Sequence, residues 1–157
     1  MHALSSHAAS VFEETNDSVI SSPFNLAEVS KRHPTIIART ILYIAVCLQQ
    51  LDPEFDASQL RIYPSIEGRM DTFLSTVQTL ITSDDELVST MEGLECLVLQ
   101  GVYYINAGSP RRAWLTFRRA LNIGQLMGIH RKETSTSIPG GREMFHQITQ
   151  ADRYLVR

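Results

Sequence analysis

The 157-residue chain is 43% hydrophobic and 20% charged, with a formal net charge of −3. These values exclude a disordered polyelectrolyte and a polyanion binder acting by bulk charge. A chain of this length buries roughly 68–70% of the surface its unfolded form exposes, enough for one core without staples.

Residues 1–22 are polar, lack a sustained period and have no basic segment followed by an apolar one, so they read as a loose leader and not as a secretory signal. Ser21-Ser22-Pro23 can start a short helix through about Lys31. The expected organisation is therefore a leader over 1–32 and a folded region over 33–157. His33-Pro34 punctuates the chain, and Ile37, Ile41, Ile44, Ala45 and Leu48 then recur at helical spacing, predicting a helix over 35–51. Asp52-Pro53 ends it. The most apolar run, 41–48, falls far short of the ~20 residues that cross a bilayer, so no membrane association is expected and a soluble intracellular protein is.

After a connector over 52–64 containing Pro53 and Pro64, Ser65 caps a helix of about 66–81 with the stripe Met70, Phe73, Leu74, Val77, Leu80 and Ile81. Ser83-Asp84-Asp85-Glu86 has the form of a capping box with Ser83 at the cap. The helix after it is expected to run unbroken to about Asn106, carried by Leu87, Met91, Leu94, Leu97, Val98, Gly101, Val102 and Ile105.

Asn106-Ala107-Gly108-Ser109-Pro110 is the sharpest punctuation. Gly108 suits the left-handed residue that closes a helix, Ser109 a cap and Pro110 a first helical position. So short a connection makes the flanking helices an antiparallel hairpin. The second helix runs to about Met127 and closes at Gly128. A loop over 133–141 and a helix over 142–154 follow. No stretch has the alternation of a strand. The fold class is all-α, an antiparallel helix-hairpin bundle. Because apolar residues still accumulate at Arg157, it reads as the truncated N-terminal part of a larger helical domain.

On the helix after Pro110, Ala113, Phe117, Ala120, Leu121 and Gly124 share one face with Trp114 at its edge, while the arginines point away. Small residues at 113, 120 and 124 let a neighbour approach closely. Six Lys/Arg and no acid lie between Arg111 and Lys132, whereas ten acids face two arginines between Asp52 and Glu95. The asymmetry fits pairing between helices or a basic patch for a partner. The candidate partner-docking surface is Arg111, Arg112, Arg118, Arg119, His130 and Arg131. It lacks the aromatic platform and reading motif of a nucleic-acid binder.

Cys47 and Cys96 lie in apolar stretches without C-x-x-C or Cys/His spacing, so they read as buried reduced thiols, with neither a zinc site nor a disulfide framework. The histidines have no ligand-like spacing, and no nucleophile elbow, phosphate loop or H-E-x-x-H is present. No catalytic or metal residue, no cofactor and no enzyme activity are expected.

Four blocks together resemble the regulatory middle homology domain of fungal zinc-cluster transcription factors. His33-Pro34 through Leu48-Gln49-Gln50-Leu51 is similar to the family's first long helix. Leu94 to Gln100 with Tyr103-Tyr104 resembles the helix before its hairpin. Gly108-Ser109-Pro110-Arg111-Arg112-Ala113-Trp114 through Gly128-Ile129-His130-Arg131 resembles its most recognisable block, and Asp152-Arg153-Tyr154-Leu155 the start of its next landmark helix. The resemblance spans residues 33–157. It implies transcription regulation in the nucleus, with DNA binding and zinc belonging to a cysteine cluster of full-length members that this chain does not contain. It also implies protein partners or a small-molecule effector, none of them specified by these residues. A helical-repeat interaction scaffold is the alternative, although no 34-residue self-similarity is visible.

Overall fold

A computed structural model of the chain describes residues 28, 30–52, 54–56, 60, 62–63, 65–130 and 141–155. The leader over 1–22, most of the short helix expected at 23–31, Pro53, Pro64 and residues 131–140 lie outside the described residues. The chain divides into two units, 1–32 and 33–157, and every helix discussed below belongs to the second. Among the described residues this unit is all-α, six helices and one π-turn with no strand.

Helix α1 (Pro34–Gln49) starts where Pro34 supplies a fixed φ and the His33 ring accepts from the Thr35 N–H. Ala38, Leu42 and Ala45 on one face are buried against the rest of the unit. Cys47, on the other side of the same apolar run, is exposed. The expectation of two buried thiols is corrected at this position: α1 is apolar nearly all round, but helices pack on only part of it.

Helix α2 (Ile66–Val77) is capped by Ser65, whose side chain accepts from the Gly68 N–H. It does not continue to residue 81 as an α-helix. Residues Gln78–Thr82 form a π-turn, closed by the Ser83 N–H donating to the Gln78 carbonyl at 3.0 Å. The wider turn changes which side chains face inward. Thr82 becomes buried, while Leu80, expected in the apolar stripe, is 64% exposed.

The single helix expected from about residue 84 to 106 is two. The short α3 (Asp85–Val88) is capped by Asp84, not Ser83, through the Glu86 and Leu87 N–H groups. The Ser83 hydroxyl instead donates to the Gln78 carbonyl. Helix α4 (Met91–Asn106) then restarts at Thr90, which donates to the Leu87 carbonyl and accepts from the Gly93 N–H. The break has a steric cause as well. A Cβ on Gly93 would stand 2.2 Å from the Leu87 carbonyl oxygen and 2.5 Å from the Val88 Cα, so glycine is what lets α3 fold back onto α4.

The hairpin to α5 (Pro110–Leu126) follows the sequence reading in its backbone. Gly108 has φ +66° and Pro110 opens the helix. Ser109 makes no side-chain capping bond, because its role is carried by the main chain: its N–H donates to Tyr104 and its carbonyl accepts from Ala113. Gly128, at φ +73°, follows the end of α5. Helix α6 (Gly141–Leu155) then packs on α5.

Helix α4 is the axis of the unit, in contact with α1, α3, α5 and the π-turn. Nine of its sixteen residues are buried, which explains why its hydrophobic positions extend beyond a single stripe. Across the hairpin, Phe117 lies flat over Gly101, where a Cβ would meet the ring at 2.6 Å. Ala113 and Ala120 are also fully enclosed. Gly124 faces α6 less tightly: a Cβ there would lie 3.2 Å from the Phe145 ring, a contact that a shift of a few tenths of an ångström would relieve.

Burial first, and the neighbouring Glu95 charge second, push the Cys96 thiol up to about 12 from an ordinary 9.0. The folded form therefore holds this proton more tightly than the unfolded chain does. The stability it contributes is complete below about pH 9 and declines as pH rises toward 12. At about pH 8 a thiol reagent should titrate one cysteine rapidly, the exposed Cys47, and the second only on unfolding. Rapid reaction of both in the native protein would contradict this packing.

Candidate functional site

Helix α5 carries four of the six residues singled out for partner docking, and its 100° step sorts them into two stripes. Arg111 and Arg118, seven residues apart, lie on one, and Arg112 and Arg119 on the other. The stripes flank the buried face formed by Ala113, Phe117, Ala120 and Gly124.

Two of the four are engaged within the fold. Arg118 donates to the Asp152 carboxylate on α6 at 3.3 Å and lies over the Trp114 ring, 5.8 Å from its centroid. Arg119 donates to the Asp85 carboxylate at 2.6 Å and to the Thr82 carbonyl at the end of the π-turn. Thus each stripe uses its C-terminal arginine to hold a neighbouring element, α6 on one side and the π-turn with α3 on the other. Part of the charge asymmetry in the sequence is this intramolecular pairing.

The other members of the set are differently placed. Arg111 is exposed. Arg112 is also exposed and sits over the Tyr104 ring, 4.8 Å from its centroid. Among the described residues neither makes an ion pair. His130 is exposed beyond the end of α5, its ring 6.0 Å from Phe145 of α6. Arg131 lies outside the described residues. The five described members are therefore not gathered into one patch but are distributed around α5 and, for His130, beyond its end.

Sequence reasoning missed a polar cluster beside the Arg112–Arg119 stripe. Gln100, 4% exposed on α4, donates to the Tyr104 hydroxyl at 3.2 Å, which in turn donates to the Gln78 amide oxygen at 3.2 Å. The signal that could have found it is a glutamine set between the apolar stretches Leu97-Val98-Leu99 and Gly101-Val102. A second ion pair, Arg39 to Glu95 at 2.5 Å, ties α1 to α4. Among the described residues no group of three or more His, Cys, Asp or Glu is arranged to hold a metal ion, and no helix is long and apolar enough to cross a membrane.

Arg119→Ala should lower stability by about 1–2 kcal/mol, because it leaves the buried Thr82 carbonyl without that donor and removes a partly exposed ion pair. Arg111→Ala should stay within about 0.5 kcal/mol of the parent. Chemical denaturation of the two variants checks this, and equal effects would contradict the division of labour along α5.

No protein-family profile matches the chain, and no solved structure matches it significantly. Curated relatives do. The chain is 55% identical over 102 residues to transcription factor sdnS of Sordaria araneosa, a match covering 65% of this chain and 13% of that protein. It is 42% identical over 112 residues to transcription factor eupR of Phoma sp, covering 69% and 24% respectively. It is 34% identical over 111 residues to a dehydrocurvularin biosynthesis regulator of Aspergillus terreus, covering 66% and 14%. The matched region thus spans about a quarter or less of the length of these relatives. The proteins to which this helical chain is related are fungal transcription factors and regulators of biosynthesis.

Proposed function

We propose that residues 33–157 form part of the regulatory middle homology domain of a fungal zinc-cluster transcription factor. The observation that carries this reading is the agreement of the curated relatives. Three proteins, 34–55% identical over about two thirds of the chain, bear the names of transcription factors or of a biosynthesis regulator. The order of the four blocks, with the Gly108–Arg131 segment the most recognisable and Asp152-Arg153-Tyr154-Leu155 the last, supports the assignment to the middle domain.

In this reading the chain catalyses no reaction and acts in the nucleus. Contact with DNA, and the zinc that supports it, belong to another segment of the longer relatives, and this chain needs no cofactor of its own. Its work is mechanical. Helices α1, α4 and α5 make a close-packed scaffold, and an effector or protein partner that binds one arrangement better than another shifts how the scaffold docks on neighbouring segments.

In the organism that carries the gene, removing the codons for residues 91–126 should change the transcripts of a restricted gene set several-fold. Synonymous recoding of the same region should leave them unchanged. RNA sequencing reads the result, and identical transcript profiles for the deletion and the recoded gene would contradict a role in transcription.

A further inference from the structure

A cavity of about 250 Å³ opens between the π-turn, α4 and α5. Its polar wall is the hydrogen-bonded series Gln100, Tyr104 and Gln78, together with the buried Thr82. Its cationic wall is Arg112 and Arg119, and Leu97 and Leu115 supply the apolar surface.

The two guanidiniums differ in what they have available. Arg119 is held by Asp85 and the Thr82 carbonyl. Arg112 has the Tyr104 ring beneath it, an attraction that fixes the cation yet satisfies none of its five N–H donors. Among the described residues it makes no ion pair. A planar fork positioned beside amides and hydroxyls matches a carboxylate bidentately. The glutamine amides and Thr82 hydroxyl can then donate to or accept from a hydroxyl on the same molecule. The π-turn is the second unusual feature of the wall. Such turns are rare and concentrate at functional sites, and here the turn carries Gln78 at its start and Thr82 at its end.

We infer that this cavity binds a small hydroxylated carboxylate, with Arg112 receiving the carboxylate and the Gln100–Tyr104–Gln78 wall receiving the hydroxyl. The volume corresponds to roughly eight water molecules of liquid, hence a ligand of about ten non-hydrogen atoms. Affinity for so small a molecule falls near a Kd of about 0.1–1 mM. Binding rests on the cavity alone; its use as an effector signal rests on the regulatory reading above.

The probe is 4-hydroxybenzoate, titrated into the 157-residue chain and followed by backbone amide NMR shifts, with benzoate and inorganic phosphate as comparisons. Saturable shifts centred on residues 78–82, 100–104 and 112 are expected by about 10 mM. Arg112→Gln should weaken binding about 10-fold or more, since a charge-assisted pair is lost. Arg111→Gln, on the other stripe, should change it less than about 2-fold. Tyr104→Phe, which keeps the ring under Arg112, should weaken 4-hydroxybenzoate several-fold and benzoate little. Circular dichroism confirms that each variant retains its helices; one that does not is replaced by Arg112→Lys, which keeps the charge but loses the bidentate fork, or by Gln78→Leu, which removes an acceptor from the polar wall, and weaker 4-hydroxybenzoate binding is expected from each.

Absence of saturable binding would overturn the proposal. So would equal losses from Arg111→Gln and Arg112→Gln, or phosphate binding as tightly as 4-hydroxybenzoate. Because the readout is binding and not transcription, a negative result leaves the regulatory reading standing, and unchanged transcripts leave the binding result standing.

Discussion

The contact on which the unit depends is the flat approach of Phe117 to the backbone of α4 at Gly101. Phe117 is 2% exposed and is the largest of the fully enclosed side chains. Burying such a ring contributes about 1.5–3 kcal/mol, but only if α4 offers a position without a side chain. A Cβ at 101 would overlap the ring. With glycine there, α4 and α5 close along their length, Ala113 and Ala120 seal the seam, and the tight turn at Gly108 and Pro110 follows at the end of the hairpin. Everything else is arranged around this pair. Helix α1 lies against α4, while α6 packs on α5 with Phe145 close to Gly124. The C-terminal arginine of each stripe on α5 reaches outward to fix the next element.

This geometry explains which parts of the fold were legible in the sequence. The hairpin was legible because Gly108 and Pro110 impose backbone constraints that need no tertiary information. The inner face of α5 was legible because small residues and Phe117 recur at helical spacing between arginines. The break at residues 89–90 was not, because Leu87, Met91 and Leu94 continue a helical period straight across it. Its cause is the Leu87 carbonyl pressed against Gly93, a contact three-dimensional in origin. The π-turn escaped for a similar reason: Leu80 and Ile81 extend the stripe of α2, and only the Ser83 to Gln78 hydrogen bond reveals the wider turn.

The candidate site was legible by residue type but not by role. Charge pattern set the arginines of α5 against the acids before residue 95, and Arg119 with Asp85 is one such meeting. The pattern could not tell Arg112, stacked on Tyr104, from Arg119, held at Asp85 and Thr82, although both lie on one stripe. Nor could it show that Gln100, Tyr104 and Gln78, separated along the chain, form one polar wall. The relatives bear the names of transcription factors and biosynthesis regulators, and the chain corresponds to only a small part of each.

The most direct test of the central contact is a double-mutant cycle between positions 101 and 117, followed by denaturant unfolding. Gly101→Ala alone should destabilise the unit by about 1–3 kcal/mol through overlap with the ring, despite alanine's better helix propensity. Combined with Phe117→Ala, the added methyl should cost little or become favourable, giving a coupling of about 1 kcal/mol or more. Additive effects within about 0.5 kcal/mol would contradict the account, because the two residues would then not share the space on which the bundle is built.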